Sequence, residues 1–303
     1  MGGSGGGSYP SSPEELQALR EQALKDLRDQ ERDIAVNEVL LEALAGFNDR
    51  DVEGVRERLD AIQEALDGLT IDVDRLLFGG SVAKHTYVDG LSDVDALVVV
   101  DAPDVGPDQL VEHFREALAG RLGAGDVEKV TAGSLAVTVH YRDGSEIQLL
   151  PAVERDGRTS IASEDGSAWR QIRPHKFAEK LTQVNKANGE AVVPIIKLAK
   201  AVLRQLPESQ QLSGYHVEAI AVDAFRSYEG RRDRASMLVH LVRHAQQAVL
   251  RPTGDITGQS IHIDQDLGPA NSQARQGLSA ALGRIASSLA QGTAEDYRRL
   301  LHD

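Results

Sequence analysis

Cysteine is absent from the 303 residues, and with it go disulfides, thiol catalysis and cysteine-ligated zinc. A reducing cytoplasm fits. Long apolar runs are missing too: no stretch approaches the roughly 18 residues needed to span a membrane, so no membrane partner is expected. The N-terminus lacks the charged-then-apolar pattern of a signal peptide, and a cytoplasmic location is expected. Positive charge is scarce, with 33 Lys and Arg against 47 Asp and Glu and a net charge of −14. Proteins that grip long nucleic acids usually present excess cations to the phosphates, so a DNA or RNA template is not the expected partner. Small nucleotides stay open, because a few local cations and a metal are enough to hold them.

What is present is ordinary for a globular protein: 41% hydrophobic and 26% charged residues, in a chain long enough for one large or two ordinary domains. Met1 to Ser8, MGGSGGGS, reads as a flexible linker. Ser12-Pro13-Glu14-Glu15 reads as a helix start, with Ser12 as N-cap, Pro13 at the first position and Glu15 closing a capping box. That helix is expected to run to about Ala45 on a broken stripe of Leu16, Leu19, Ala23, Leu27, Ile34, Val39 and Leu40. A second amphipathic helix is expected over about Asp51 to Leu66, followed by a strand at Arg75 to Phe78.

The informative stretch is Phe78 to Asp101. Gly79-Gly80-Ser81 is a turn whose glycines let backbone N–H groups approach phosphate oxygens, with the Ser81 hydroxyl as a further donor. Ser92-Asp93-Val94-Asp95 then leads into Ala96 to Val100, aliphatic and β-branched, which predicts a buried strand. Alternation on a strand turns Asp93 and Asp95 the same way, roughly 6.6 Å apart. Two such carboxylates suit a hard divalent metal such as Mg²⁺, which keeps open positions for substrate phosphates.

Further on, Gly106-Pro107 introduces a helix to about Leu122, and Val127 to Thr131 reads as a short strand. Leu135 to Tyr141 and Glu146 to Leu150 form a hairpin around Arg142 to Ser145, which Pro151 is expected to stop. Val153 to Ser167 and Arg251 to Gly268 read as irregular. Helices are expected at about 174–186, 189–206, 213–228, 233–250, 270–290 and 293–301. The organisation is an α/β lobe, placed with the N-terminal helices over 9–152, and a mainly helical lobe over 153–303. The cleft between them is the natural site.

The pattern of hydrophobic-Gly-Gly-Ser followed by Ser-Asp-hydrophobic-Asp resembles the signature of the DNA polymerase β-like nucleotidyltransferases. Glu146-Ile147-Gln148-Leu149-Leu150-Pro151-Ala152 resembles the motif hydrophobic-Asp-hydrophobic-hydrophobic-Pro-Ala of the bacterial cGAS/DncV-like nucleotidyltransferases (CD-NTases). Leu212-Ser213-Gly214-Tyr215-His216-Val217-Glu218 is similar to a segment of the same enzymes, and Ile195 to Lys200 to their lysine-bearing helix, without the aromatic pair that often follows the lysine.

The resemblance implies a polymerase β-like lobe with a mixed sheet and three carboxylates holding two Mg²⁺ ions, for which Mn²⁺ substitutes. It also implies a reaction that joins nucleoside triphosphates into a cyclic or linear oligonucleotide for anti-phage (CBASS) signalling, with release of pyrophosphate and a downstream effector for the product. Gly80, Ser81, Lys197, Lys200 and Ser213 would contact the donor triphosphate. The two lysines are three apart and so neighbours on one helical face; an ordinary amphipathic helix with solvated lysines is the alternative. His216 and Glu218 read as buried residues at a lobe junction, and Trp169 as either a base-stacking or a core residue.

One departure stands out. Gln148 occupies the position where the family motif has its Asp, and a neutral amide cannot serve as base for a ribose hydroxyl. Glu146, two residues earlier on the same strand face, is the expected third carboxylate beside Asp93 and Asp95; the alternative is a hairpin-edge surface residue. Two other functions stay open: a nucleotidyltransferase that modifies a protein or tRNA, and a catalytically impaired relative that only binds nucleotides.

Overall fold

The computed structural model describes residues 12–48, 52–67, 72–78, 94–101, 105–123, 125–155, 157–163, 165–255 and 263–302. Helix α1 spans Pro13–Asn48. Ser12 caps it, its Oγ accepting from the Glu15 amide at 3.2 Å. The expected apolar stripe is only partly the buried one. Leu16, Leu19, Leu27 and Ile34 are about half exposed, whereas Val36, Val39, Leu40, Ala43 and Leu44 are buried. These five belong to the same core as the C-terminal helices. The C-terminal half of α1 therefore packs with the helical lobe, although in chain order it stands with the 9–152 segment.

Helix α2 (Val52–Leu66) and strand β1 (Asp72–Phe78) follow, then β2 (Val94–Asp101) and α3 (Pro107–Arg121). Strands β3 (Val127–Ala132), β4 (Val137–Tyr141), β5 (Glu146–Arg155), β6 (Arg158–Ala162) and β7 (Trp169–Gln171) complete a mixed sheet. Its order is β1-β2-β5-β4-β3, with β6 pairing β5 and β7 pairing β6. Among the described residues only β2 and β5 run parallel.

Two expectations fail here. Pro151 does not stop β5, and the segment from Val153 to Ser167 carries strands. The reason is where the neighbours end. The last β4 partner of β5 is Val137, opposite Leu149, and β6 joins only at Val153. Pro151 thus sits between two neighbours on that edge, where its missing N–H breaks no ladder.

The sheet's one face carries Ala96, Val98 and Val100 of β2, Val137, Val139 and Tyr141 of β4, and Ile147 and Leu149 of β5. These pack on Leu59, Ile62 and Leu66 of α2 and Leu110, Phe114 and Leu118 of α3. Arg58 of α2 fastens this layer to the hairpin. Its guanidinium lies 4.1 Å from the Tyr141 ring centroid and bonds Asp126, Asp143 and Ser145 at 2.6 to 3.1 Å. On the other face Leu97, Val99, Ala152, Ile161 and Ile172 form a smaller core. Trp169 packs against the larger α2–α3 core, the core reading of that residue.

The helical lobe is α4 (Pro174–Ala187), α5 (Val192–Leu203), α6 (Gly214–Ala224), α7 (Arg234–Ala248), α8 (Gln273–Gln291) and α9 (Ala294–His302). Arg251 to Gly268 is irregular where described, apart from a 3₁₀ turn at Gln265–Leu267. A buried arginine ties it down. Arg275 of α8, fully enclosed, bonds Asp264 Oδ2 at 2.8 Å and the carbonyls of Val249, Arg251, Asp264 and Gly268 at 2.9 to 3.2 Å. Among the described residues no helix is long and apolar enough to cross a membrane.

Candidate functional site

Two groups of expected site residues emerge from this fold. The first lies at the start of β2 and β5. Because those strands are parallel, both begin at the same edge of the sheet, and Asp95 is the register partner of Gln148. For Asp95 only the backbone is described; Asp93, Gly80 and Ser81 lie outside the described residues, as do Lys84, His85 and Thr86. Gln148 is exposed, and its other register partner is Thr138 of β4. Glu146 opens β5 with its side chain 39% exposed. It shares a face with Gln148, on the side of the strand away from buried Ile147 and Leu149.

Sequence reasoning missed a residue here. His140 is the β4 partner of Glu146. Its Nδ1 lies 2.6 Å from Glu146 Oε1, and its Nε2 lies 2.9 Å from Thr131 Oγ1 on β3. A polar row of Thr131, His140 and Glu146 thus crosses three strands beside the Asp95 and Gln148 pair. The signal was available in the hairpin: a turn over Arg142 to Ser145 sets His140 opposite Glu146, and the alternation of Val-Thr-Val-His-Tyr turns His140 away from the α2–α3 core.

The second group surrounds the start of α6. Ser213 is its N-cap, and its hydroxyl oxygen accepts from the His216 amide at 3.2 Å. That leaves the hydroxyl proton to donate elsewhere. Lys200 of α5 is 8% exposed and pairs with Glu218 at 2.9 Å. It also lies tight under the turn: a Cβ on Gly214 would come within 3.3 Å of Lys200 Nζ. The lysine is therefore neither solvated nor remote, since its charge sits directly beneath the Ser213-Gly214 backbone. Lys197, one turn earlier, is half-buried, so the two lysines share a face but not an environment.

His216 and Glu218 are buried, in line with a junction role. Burial lowers the His216 pKa and keeps the ring neutral. Its Nε2 faces Thr253 Oγ1 at 3.3 Å and Asp264 Oδ2 at 3.6 Å. Burial pushes the Asp264 carboxyl upward, but the Arg275 guanidinium and the Thr253 amide outweigh it and hold the net value below the ordinary one. Tyr215 donates to Asp255 Oδ1 at 2.8 Å and meets Phe177 edge-on at 4.8 Å. The irregular segment after α7 is thereby fastened to the same turn that carries Ser213.

For a metal, the donor chemistry is right in kind. Glu146 supplies a carboxylate and Gln148 an amide oxygen at the strand mouths, the hard oxygen donors that Mg²⁺ prefers. Among the described residues no three His, Cys, Asp or Glu side chains converge as a metal cluster; the Asp93 and Asp95 side chains are not among them.

Comparison with known proteins agrees with this fold. Residues 39–185 match the Second Messenger Oligonucleotide or Dinucleotide Synthetase domain (SMODS). No curated protein matches the chain. Among solved structures, Bradyrhizobium diazoefficiens CdnG in complex with GTP aligns at a TM-score of 0.65 and 15% identity, over 88% of this chain and 97% of that one. Escherichia coli MS115-1 CdnC with ATP aligns at 0.62 and 18%, over 86% and 96%. Vibrio cholerae DncV, a cyclic AMP-GMP synthase, aligns at 0.59 and 15%, over 93% and 90%. At these identities the structures speak for the fold, and the domain match speaks for the family. Residues 39–185 therefore belong to the SMODS family of nucleotidyltransferases, on a chain with the cGAS/DncV-like fold.

Proposed function

We propose that this nucleotidyltransferase joins nucleoside triphosphates into a cyclic or linear oligonucleotide second messenger that a downstream effector reads in anti-phage defence. The observation that carries the reading is the parallel β2–β5 pair. It brings Asp95 to the register position of Gln148, two residues from Glu146 on the same strand, in a chain whose structural relatives were solved with GTP, ATP and a linear pppApG intermediate.

In this reading Asp93, Asp95 and Glu146 hold two Mg²⁺ ions. When bound, the ions would supply charge neutralisation at the triphosphate and acidify the attacking ribose hydroxyl. The chain's own residues do the rest. Ser81 and the backbone of Gly80 hold the donor triphosphate from one side. Ser213, with its hydroxyl proton available, and Lys197 hold it from the other. Lys200, pinned by Glu218 beneath Gly214, adds positive charge under the Ser213 turn, where the first amides of α6 already favour an anion. Holding the ribose hydroxyl near the α-phosphorus, with charge opposed by fixed groups, accounts for most of the acceleration in such a transfer.

Incubation with all four ribonucleoside triphosphates and Mg²⁺ or Mn²⁺ tests this, followed by phosphatase treatment and mass spectrometry. A phosphatase-resistant oligonucleotide is the expected result. Gln148 favours one second reading, an impaired relative that binds nucleotides without turnover. Metal-dependent nucleotide binding with no product under any combination of substrates would support it instead.

A further inference from the structure

We propose that His140 is a positioning residue for Glu146, holding one carboxylate oxygen so that the other faces Asp95 across the strand mouths. The inference rests on the reading of Glu146 as the third carboxylate. Gln148 stands at Asp95's register position with a neutral amide, so the charge must come from a residue one step further from the partner strand's aspartate. Glutamate reaches further than aspartate but has one more torsion to fix, and at 39% exposure its neighbours leave it room to move. Ligating carboxylates are normally held by a hydrogen bond of their own.

His140 supplies that bond, with Nδ1 2.6 Å from Glu146 Oε1. The ring is itself fixed from the far side, with Nε2 2.9 Å from Thr131 Oγ1. A carboxylate oxygen accepts, so Nδ1 is the donor in the first contact, and the Thr131 hydroxyl, which can donate or accept, meets Nε2 in the second. Both partners belong to regular strands in fixed register, His140 opposite Glu146 and Thr131 opposite Thr138. The arrangement is therefore held by the sheet and not by a loop. All three side chains lie on the sheet face opposite the α2–α3 core, the face that further along β5 carries the smaller core around Leu150 and Ala152.

The test measures Mn²⁺ binding to the full chain by electron paramagnetic resonance, alongside kcat and KM. His140→Ala is expected to weaken Mn²⁺ binding about 10- to 100-fold, the range seen when such supporting groups are lost, and to lower kcat with nucleotide KM unchanged. His140→Asn places an amide N–H where Nδ1 stood and is expected to stay within about threefold of the parent. Glu146→Gln is expected to lose the binding that His140→Ala weakens. If Glu146→Gln loses binding but His140→Ala does not, the role of His140 is overturned while Glu146 keeps its own. If Asn and Ala behave alike, the hydrogen-bond argument fails. Unchanged Mn²⁺ binding in Glu146→Gln overturns the Glu146 reading and this inference with it. Melting curves of each variant show that the comparison is between folded proteins.

Discussion

Asp95 and Gln148 are register partners across the parallel pair of β2 and β5. The chain thus sets a neutral amide beside the second aspartate of its Asp-x-Asp pair. The family motif that this segment resembles has a carboxylate at that position. Glu146, at the same sheet edge and on the same strand face, is where it has gone in our reading.

Asp93→Asn and Asp95→Asn should each lower product formation at least about a hundredfold, the scale of losing one electrostatic partner of a transition state, with the melting temperature unchanged. Product analysis beside a thermal melt checks this. Wild-type turnover in either variant removes the metal assignment.

Glu146→Gln and Gln148→Asp separate a displaced site from a disabled one. A displaced site loses about a hundredfold on Glu146→Gln and gains little from Gln148→Asp. If Gln148→Asp raises turnover and Glu146→Gln leaves it alone, the site is an attenuated one waiting for its usual aspartate. Initial rates of both variants decide the matter.

A Cβ on Gly214 would meet Lys200 Nζ at 3.3 Å, so a side chain there must push the ammonium aside. Gly214→Val should displace the ammonium from beneath the Ser213 turn and raise nucleotide KM about tenfold, equivalent to about 1.4 kcal/mol. A KM measured at saturating metal checks it; an unchanged KM would mean that Lys200 serves the fold alone.

Arg275→Met should cost about 3–5 kcal/mol, because Asp264 would stay buried without its guanidinium and four backbone carbonyls would lose their donor. That corresponds to a fall of roughly 6–15 °C in Tm. Pairing it with Asp264→Leu should return part of the loss, since the pair is then absent and not half-present.

Stability should also fall on mild acidification. His216 has its pKa lowered from an ordinary 6.5 by burial. Above that value both folded and unfolded chains leave it neutral, and its contribution is complete. Below it the unfolded chain takes up a proton that the folded one refuses, so stability is lost as pH falls towards the folded pKa. Asp264, also lowered, from 3.8, adds a second loss at more acid pH. Melting temperatures from about pH 8 to about pH 5 should decline below about 6.5, and His216→Gln should flatten that first decline.

The sequence made most of the framework legible for identifiable reasons. Ser12 and Pro13 mark the start of α1, Gly106-Pro107 that of α3, and the alternation of 137–141 gives β4. The buried run of 96–100 gives the interior strand β2. What it hid was pairwise. Nothing in α1's periodicity says which of its apolar faces is covered, and Pro151 looks like a terminator until β4 is known to end at Val137. Around the site, resemblance to the family's segments led to Glu146, Lys200 and Ser213. The engagement of Lys200 by Glu218, and of Glu146 by His140, depends on distances that only the folded chain fixes.

The first half of α1 has its own consequence. From Pro13 to Glu31 the helix buries no residue, so there it is held by its capping and by local pairs such as Gln17 with Glu21 and Gln22 with Asp26, each worth only a few tenths of a kcal/mol. Its N-terminal turns therefore melt and reform on a free-energy scale near zero, while the turns from Val36 onward open only with the helical core. One continuous rod thus joins a segment at the helix–coil balance to one that shares the global stability, and the change occurs within about two turns.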